Sequence, residues 1–117
     1  MKMGRVNPAL GPAEVQADGE RDIVLWMAQR SEAVAAFMKA LSHEGRLMIL
    51  CHLASGERSV TELEGLLGQR QAAVSQQLAR LRLEGMVSTR REGKAIFYAL
   101  HDPRVRDLLR MLPDNFS

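Results

Sequence analysis

Apolar positions recur at helical spacing from Asp22 onward. Ile23, Trp26, Met27, Val34, Phe37, Met38 and Leu41 fall near one stripe, the pattern of an amphipathic helix. Ser42 breaks the stripe and is placed to cap a second helix, His43 to Ala54. The centre of that helix, Leu47-Met48-Ile49-Leu50-Cys51, is apolar nearly all round, which predicts burial on more than one side. Ser55-Gly56 ends it. Ser59-Val60-Thr61-Glu62 has the form of a capping box, in which Ser and Glu satisfy each other's backbone N–H groups. It opens a short helix, Thr61 to Leu67, that Gly68 stops. A fourth helix follows from about Gln71 to Leu83, with Val74, Leu78 and Leu81 as its inner stripe. Gln69, Ala72, Ala73, Gln76 and Arg80 lie roughly opposite, so its outer face is small and amide-rich. Gly85 closes it as a glycine just past the helix end.

The period then changes to two. Met86 to Arg90 and Ala95 to Leu100 predict strands, with Arg91-Glu92-Gly93-Lys94 as the hairpin turn between them. Pro103 is placed to start a last short helix, Arg104 to Leu112, and Pro113 to end it. Before all of this, Met1 to Gly19 is rich in Gly, Pro and Ala and shows no sustained period. The expected organisation is a mobile tail over residues 1–21 and one domain over residues 22–117. Its fold class is mainly α with a β-hairpin, in the order helix, helix, helix, helix, hairpin, helix.

Charge changes this picture in one place. The 117-residue chain has a formal net charge of only +2. Between Gln69 and Lys94, however, six basic residues (Arg70, Arg80, Arg82, Arg90, Arg91, Lys94) face two acidic ones (Glu84, Glu92), so that stretch carries +4. A basic segment on a near-neutral body is the electrostatic footprint expected for nucleic acid. No apolar run approaches bilayer length, and Met1 to Glu20 lacks an apolar block with a cleavage site. The expected location is therefore the cytoplasm, with association with the nucleoid when bound to DNA. A single cysteine, Cys51, excludes an intrachain disulfide.

A short capped helix, a turn and a second helix with a polar outer face describe a helix-turn-helix, and a basic hairpin follows at once. On DNA this winged helix has a physical logic. The second helix enters the major groove, where glutamine amides read adenine edges. The hairpin sets Arg and Lys beside the phosphates. The residues expected at the groove are Gln69, Arg70, Gln71, Ser75, Gln76, Gln77 and Arg80. Those expected at phosphates or the minor groove are Arg90, Arg91 and Lys94. A domain of this size also gains stability by pairing, so a homodimer is expected, with Trp26, Phe37 and Leu108 to Leu112 contributing apolar area.

Three stretches resemble one family. Lys39-Ala40-Leu41-Ser42-His43-Glu44-Gly45-Arg46-Leu47 is similar to the start of the second helix in ArsR-family regulators. Ala73-Val74-Ser75-Gln76-Gln77-Leu78-Ala79-Arg80-Leu81 resembles their recognition helix. Glu84-Gly85-Met86-Val87, then Arg90-Arg91-Glu92-Gly93-Lys94 and Tyr98, resembles their wing. Relatives often carry His where this chain has Gln77. The resemblance implies a dimeric winged helix-turn-helix repressor that binds operator DNA.

The same resemblance bears on the effector. Many members bind metals through cysteines on the third helix or a His/Asp/Glu set on the last. Here the third helix has no Cys, and the last has His101 and Asp102 before it and Asp107 within it, with no second His, so no metal site and no cofactor are expected. Leu50-Cys51-His52-Leu53 instead resembles the branch that senses reactive sulfur or oxidants. Extending that likeness to the C-terminus puts Ser117 where the branch has its second cysteine. It implies Cys51 as the reactive thiol, with a small sulfur or oxidant species as effector. The alternative for Cys51 is a small buried hydrophobe. Two rival functions are a metal- or metalloid-responsive repressor of the same fold and a winged-helix protein-interaction module. An enzyme is not expected, because no nucleophile–base pair and no phosphate-cradling glycine motif is recognisable.

Overall fold

The computed structural model describes the backbone of residues 19–117 and the side chains of residues 22–117, so most of the expected tail lies outside the described residues. Helix α1 runs Gly19–Leu41, beginning a turn before the expected Asp22. The chain divides within its last turn into two compact units, one up to Met38 and one from Lys39 to Ser117. In the first, Trp26, Val34 and Phe37 are half-buried. Ile23, Val24 and Leu25 are exposed to 52%, 64% and 63%. Arg30 stacks over the Trp26 ring at 4.9 Å and donates to the Trp26 carbonyl.

The second unit holds α2 (Glu44–Leu53), β1 (Arg58–Ser59), α3 (Val60–Leu67), α4 (Gln71–Leu83), β2 (Val87–Glu92), β3 (Ala95–Leu100) and α5 (Pro103–Asn115). Helices α2, α3 and α4 pack on one another around Ile49, Leu50, Leu53, Leu63, Val74, Leu78 and Leu81, all essentially inaccessible. The α2 pattern overstated burial: Ile49, Leu50 and Leu53 face the core, while Met48 and Cys51 face out. Its cap is also not Ser42. His43 takes an extended backbone and its Nδ1 accepts from the Gly45 N–H at 3.0 Å. Ser42 turns back and donates to the Lys39 carbonyl, the last turn of α1.

Helix α4 ends in a Schellman arrangement. The Gly85 N–H reaches the Arg82 carbonyl and the Met86 N–H reaches Leu81, both at 3.0 Å. Gly85 sits at φ +76, where a side chain would be strained. The sheet is antiparallel in the order β1-β3-β2. The hairpin is tighter than expected: Glu92 pairs with Ala95, leaving Gly93-Lys94 as the turn. Strand β1 has no counterpart in the sequence reading, because two residues cannot show an alternation.

Helix α5 starts as expected at Pro103 but does not stop at Pro113. A proline this late forfeits only its own N–H, and the turn continues with Asn115 donating to the Met111 carbonyl and Phe116 N–H to Leu112. Asp102 caps the other end. Its carboxylate accepts from the Arg104 N–H at 3.0 Å and pairs with the Arg104 guanidinium, which holds the carboxyl below its usual range. A depressed folded-state pKa means the stabilisation is present above the unfolded carboxylate value and is lost as pH falls through the folded one. Asp102→Ala is therefore expected to cost about 1 kcal/mol at pH 7 in urea unfolding. The gap to wild type should close in strongly acidic solution; a gap that persisted there would show that the cap does not act through its charge.

Candidate nucleic-acid interface

The capping box opens α3 as the sequence suggested: Ser59 Oγ accepts from Glu62 N–H at 3.1 Å and Glu62 Oε1 accepts from Ser59 N–H at 2.8 Å. Gly68 ends α3 in the left-handed region, and α4 starts three residues later. Because Val74, Leu78 and Leu81 are fully buried, the phase of α4 is fixed. Gln69, Arg70, Gln71, Ser75 and Gln76 are consequently exposed on its open side and preceding turn. Two other expected groove residues are differently engaged. Gln77 is half-buried; its Oε1 accepts from Arg46 Nη1 at 3.1 Å, and its amide nitrogen lies 3.5 Å from the His43 ring. Arg46 in turn donates to the Ala40 carbonyl at 2.7 Å, so Gln77 ties α4 to the start of α2. Arg80 is half-buried and paired with Glu84 at 3.1 Å.

The wing residues separate in the same way. Arg91 and Lys94 are exposed at the hairpin end, and neither takes part in an ion pair. Arg90 does. It donates to both oxygens of Glu57 and to Glu92 Oε1 at 3.0 Å, and its guanidinium lies over the Phe97 ring at 4.9 Å. The Arg90 hydrogen bonds lower the Glu57 pKa, and those of Glu57 and Glu92 raise that of Arg90. Sequence reasoning missed Glu57. Its only signal was an acidic residue just before β1, and β1 itself was not visible.

A second site lies away from the wing. Cys51 is exposed, which overturns its alternative reading as a core residue. It opens into a cleft of about 360 Å³ lined also by Ala54, Arg106, Leu109 and Arg110. Arg106 is anchored there by donating to the Ala54 carbonyl at 2.5 Å. Ser117 does not line this cleft; its hydroxyl donates to the Pro113 carbonyl. Among the described residues, no group of three or more His, Cys, Asp or Glu could hold a metal ion, and no helix is long and apolar enough to cross a membrane.

Helices α3 and α4 at a tight turn, followed by a basic hairpin and flanked by further helices, define a winged helix-turn-helix regulator. The pattern of bacterial regulatory proteins of the arsR family matches residues 43–89. The biofilm growth-associated repressor of Agrobacterium fabrum is 49% identical over 86 residues, 74% of either chain. The transcriptional activator HlyU of Vibrio cholerae is 41% identical over 86 residues, 74% of this chain and 80% of its own. Among solved structures, the transcriptional repressor BigR from Xylella fastidiosa superposes with a TM-score of 0.74 at 45% identity, covering 78% of this chain and 93% of that one. The chain belongs to the arsR family of bacterial regulatory proteins, and as a member it is a DNA-binding transcriptional regulator. The relatives named here are transcriptional regulators.

Proposed function

We propose that the chain represses transcription as a cytoplasmic homodimer that covers an operator, with Cys51 as the reactive thiol through which operator affinity is controlled and release requiring Cys51 to be bridged to the end of α5. The observation that carries the DNA part is the exposed amide face of α4 beside two unpaired cations of the wing, Arg91 and Lys94. In this reading Gln71, Ser75 and Gln76 meet base edges, Gln69 and Arg70 approach at the start of α4, and Arg91 and Lys94 meet phosphates. Gln77 contributes by tying α4 to α2, and Arg80 is paired with Glu84 at the end of its own helix. Pairing of two copies is supported by exposed apolar residues on α1 and, separately, by Met111 and Phe116 at the end of α5, 51% and 81% exposed. A relative of known structure is described as a homodimeric winged helix-turn-helix DNA-binding domain. Repression is supported by the names of the relatives with 46–49% identity. Control through Cys51 is supported by its exposure in a cleft that two arginines border.

The test is binding to an operator selected from random duplexes, measured beside a scrambled duplex. Gln76→Ala is expected to weaken operator binding by about 1–3 kcal/mol per half-site while binding to the scrambled duplex stays close to wild type. Equal losses on both duplexes would place Gln76 on the backbone instead of the bases.

A further inference from the structure

Three charged side chains meet on one face of the wing. Strand register pairs Arg90 with Phe97 and Glu92 with Ala95, so these residues share a face, while Arg91, paired with Ile96, belongs to the other. Glu57 arrives from outside the hairpin, immediately before β1, which flanks β3 on the side opposite β2. It reaches across β3 to Arg90. Both Nε and Nη2 of Arg90 point at Glu57, Nη1 points at Glu92, and the guanidinium face is covered by Phe97. The cluster of two carboxylates and one guanidinium is net negative, whereas the opposite face and the turn offer Arg91 and Lys94 unopposed.

We infer that Glu57 is a specificity-determining residue: it holds Arg90 away from phosphate and makes one face of the wing repel the DNA backbone. The inference rests on the DNA-binding reading above. A guanidinium already neutralised by fixed carboxylates has few condensed counterions to displace from DNA, so it adds little to the salt dependence of binding. The wing therefore meets DNA through Arg91 and Lys94 only. Sequence-independent affinity is kept low, which leaves discrimination to α4.

The experiment is fluorescence anisotropy of the full chain on a random-sequence duplex between 50 and 200 mM salt, with thermal unfolding by circular dichroism as the folding control. Glu57→Gln keeps the shape and removes the charge. Arg90 then keeps only Glu92 as an ion-pair partner, and the variant is expected to tighten binding and to steepen the salt slope by up to about 0.9 for each wing on the DNA, which for two wings makes at most about a tenfold larger change across that salt range. Glu57→Gln combined with Arg90→Ala should lose this gain, and Glu57→Asp, which keeps the charge, should keep the wild-type slope. A change in fold stability alone would not move the slope. The inference is overturned if Arg90→Ala alone flattens the slope as much as Arg91→Ala does, for Arg90 is then already a phosphate contact. It is overturned equally if folded Glu57→Gln leaves the slope unchanged. Wild-type chain with no salt-dependent DNA binding would remove the DNA-binding reading itself, and this inference with it.

Discussion

The double variant Arg91→Ala, Lys94→Ala is expected to lose affinity for DNA of any sequence by roughly 100-fold at 200 mM salt and by roughly a further 100-fold at 50 mM. Both side chains are exposed at the end of the hairpin, and neither takes part in an ion pair that would compete with a phosphate. In a dimer each substitution removes two cations. Four lost contacts flatten the plot of log affinity against log salt by about 3.6. The loss should be the same on operator and scrambled duplexes, because phosphates carry no sequence. The contrast with Gln76→Ala is then a contrast of kind: one variant changes the salt slope, the other the ratio between duplexes. A double variant whose slope equals that of wild type would show that the wing does not touch the backbone.

The elements that were legible in the sequence are those whose side chains must satisfy a local rule. The α4 stripe of Val74, Leu78 and Leu81 is a regular period along one helix, while its Gly85 terminus and the Ser59–Glu62 box rest on contacts within a few residues, and the structure shows all three. The misjudged features depend on distant partners or on weak local preferences. His43 caps α2 in place of Ser42, whose hydroxyl is used on α1; either residue type can cap, and the choice depends on the path of the preceding helix. Pro113 was read as a stop because proline breaks helix interiors, yet in a last turn it has little left to break.

The interface was legible as a list of residues but not as a division of labour. Gln76 and Gln77 are neighbours of identical chemistry, and only the packing of α4 against α2 gives Gln77 to Arg46 and leaves Gln76 open. Arg90 and Arg91 are likewise adjacent, but the alternation of a strand sends them to opposite faces. The partner that captures Arg90, Glu57, lies 33 residues away. Pairings of that kind are decided by tertiary structure, and a charge tally along the chain counts both arginines alike.

A Ser117→Cys variant is expected to release DNA after polysulfide treatment, with more than a tenfold loss of affinity that a thiol reductant reverses, while the chain as it stands keeps its affinity or loses it only weakly. The chemistry at Cys51 needs one thiolate. It attacks a sulfur atom of an inorganic polysulfide, the S–S bond there breaks, and a shorter polysulfide anion leaves; the cysteine is oxidised to a persulfide and the polysulfide is reduced. Arg106 and Arg110 border the same cleft and favour an anionic reagent there. A single adduct on an exposed thiol changes little, because nothing in it moves α5 relative to α2. A bridge would. Arg106 and Arg110 are one turn apart on α5, and Ser117 lies two residues past the end of that helix, outside the cleft lining. A direct disulfide requires Cα atoms about 4.4–6.8 Å apart, and a bridge that retains extra sulfur atoms spans a greater separation. Closing it pulls the end of α5 toward α2, and if α5 forms part of the dimer contact the separation of the two α4 helices changes with it. Intact mass before and after reduction distinguishes a bridge from an adduct by its sulfur count, and anisotropy on the operator reads the consequence. A Ser117→Cys variant that acquires the bridge and still holds the operator would separate Cys51 from control of DNA binding. One that acquires only adducts would show that residues 51 and 117 do not meet.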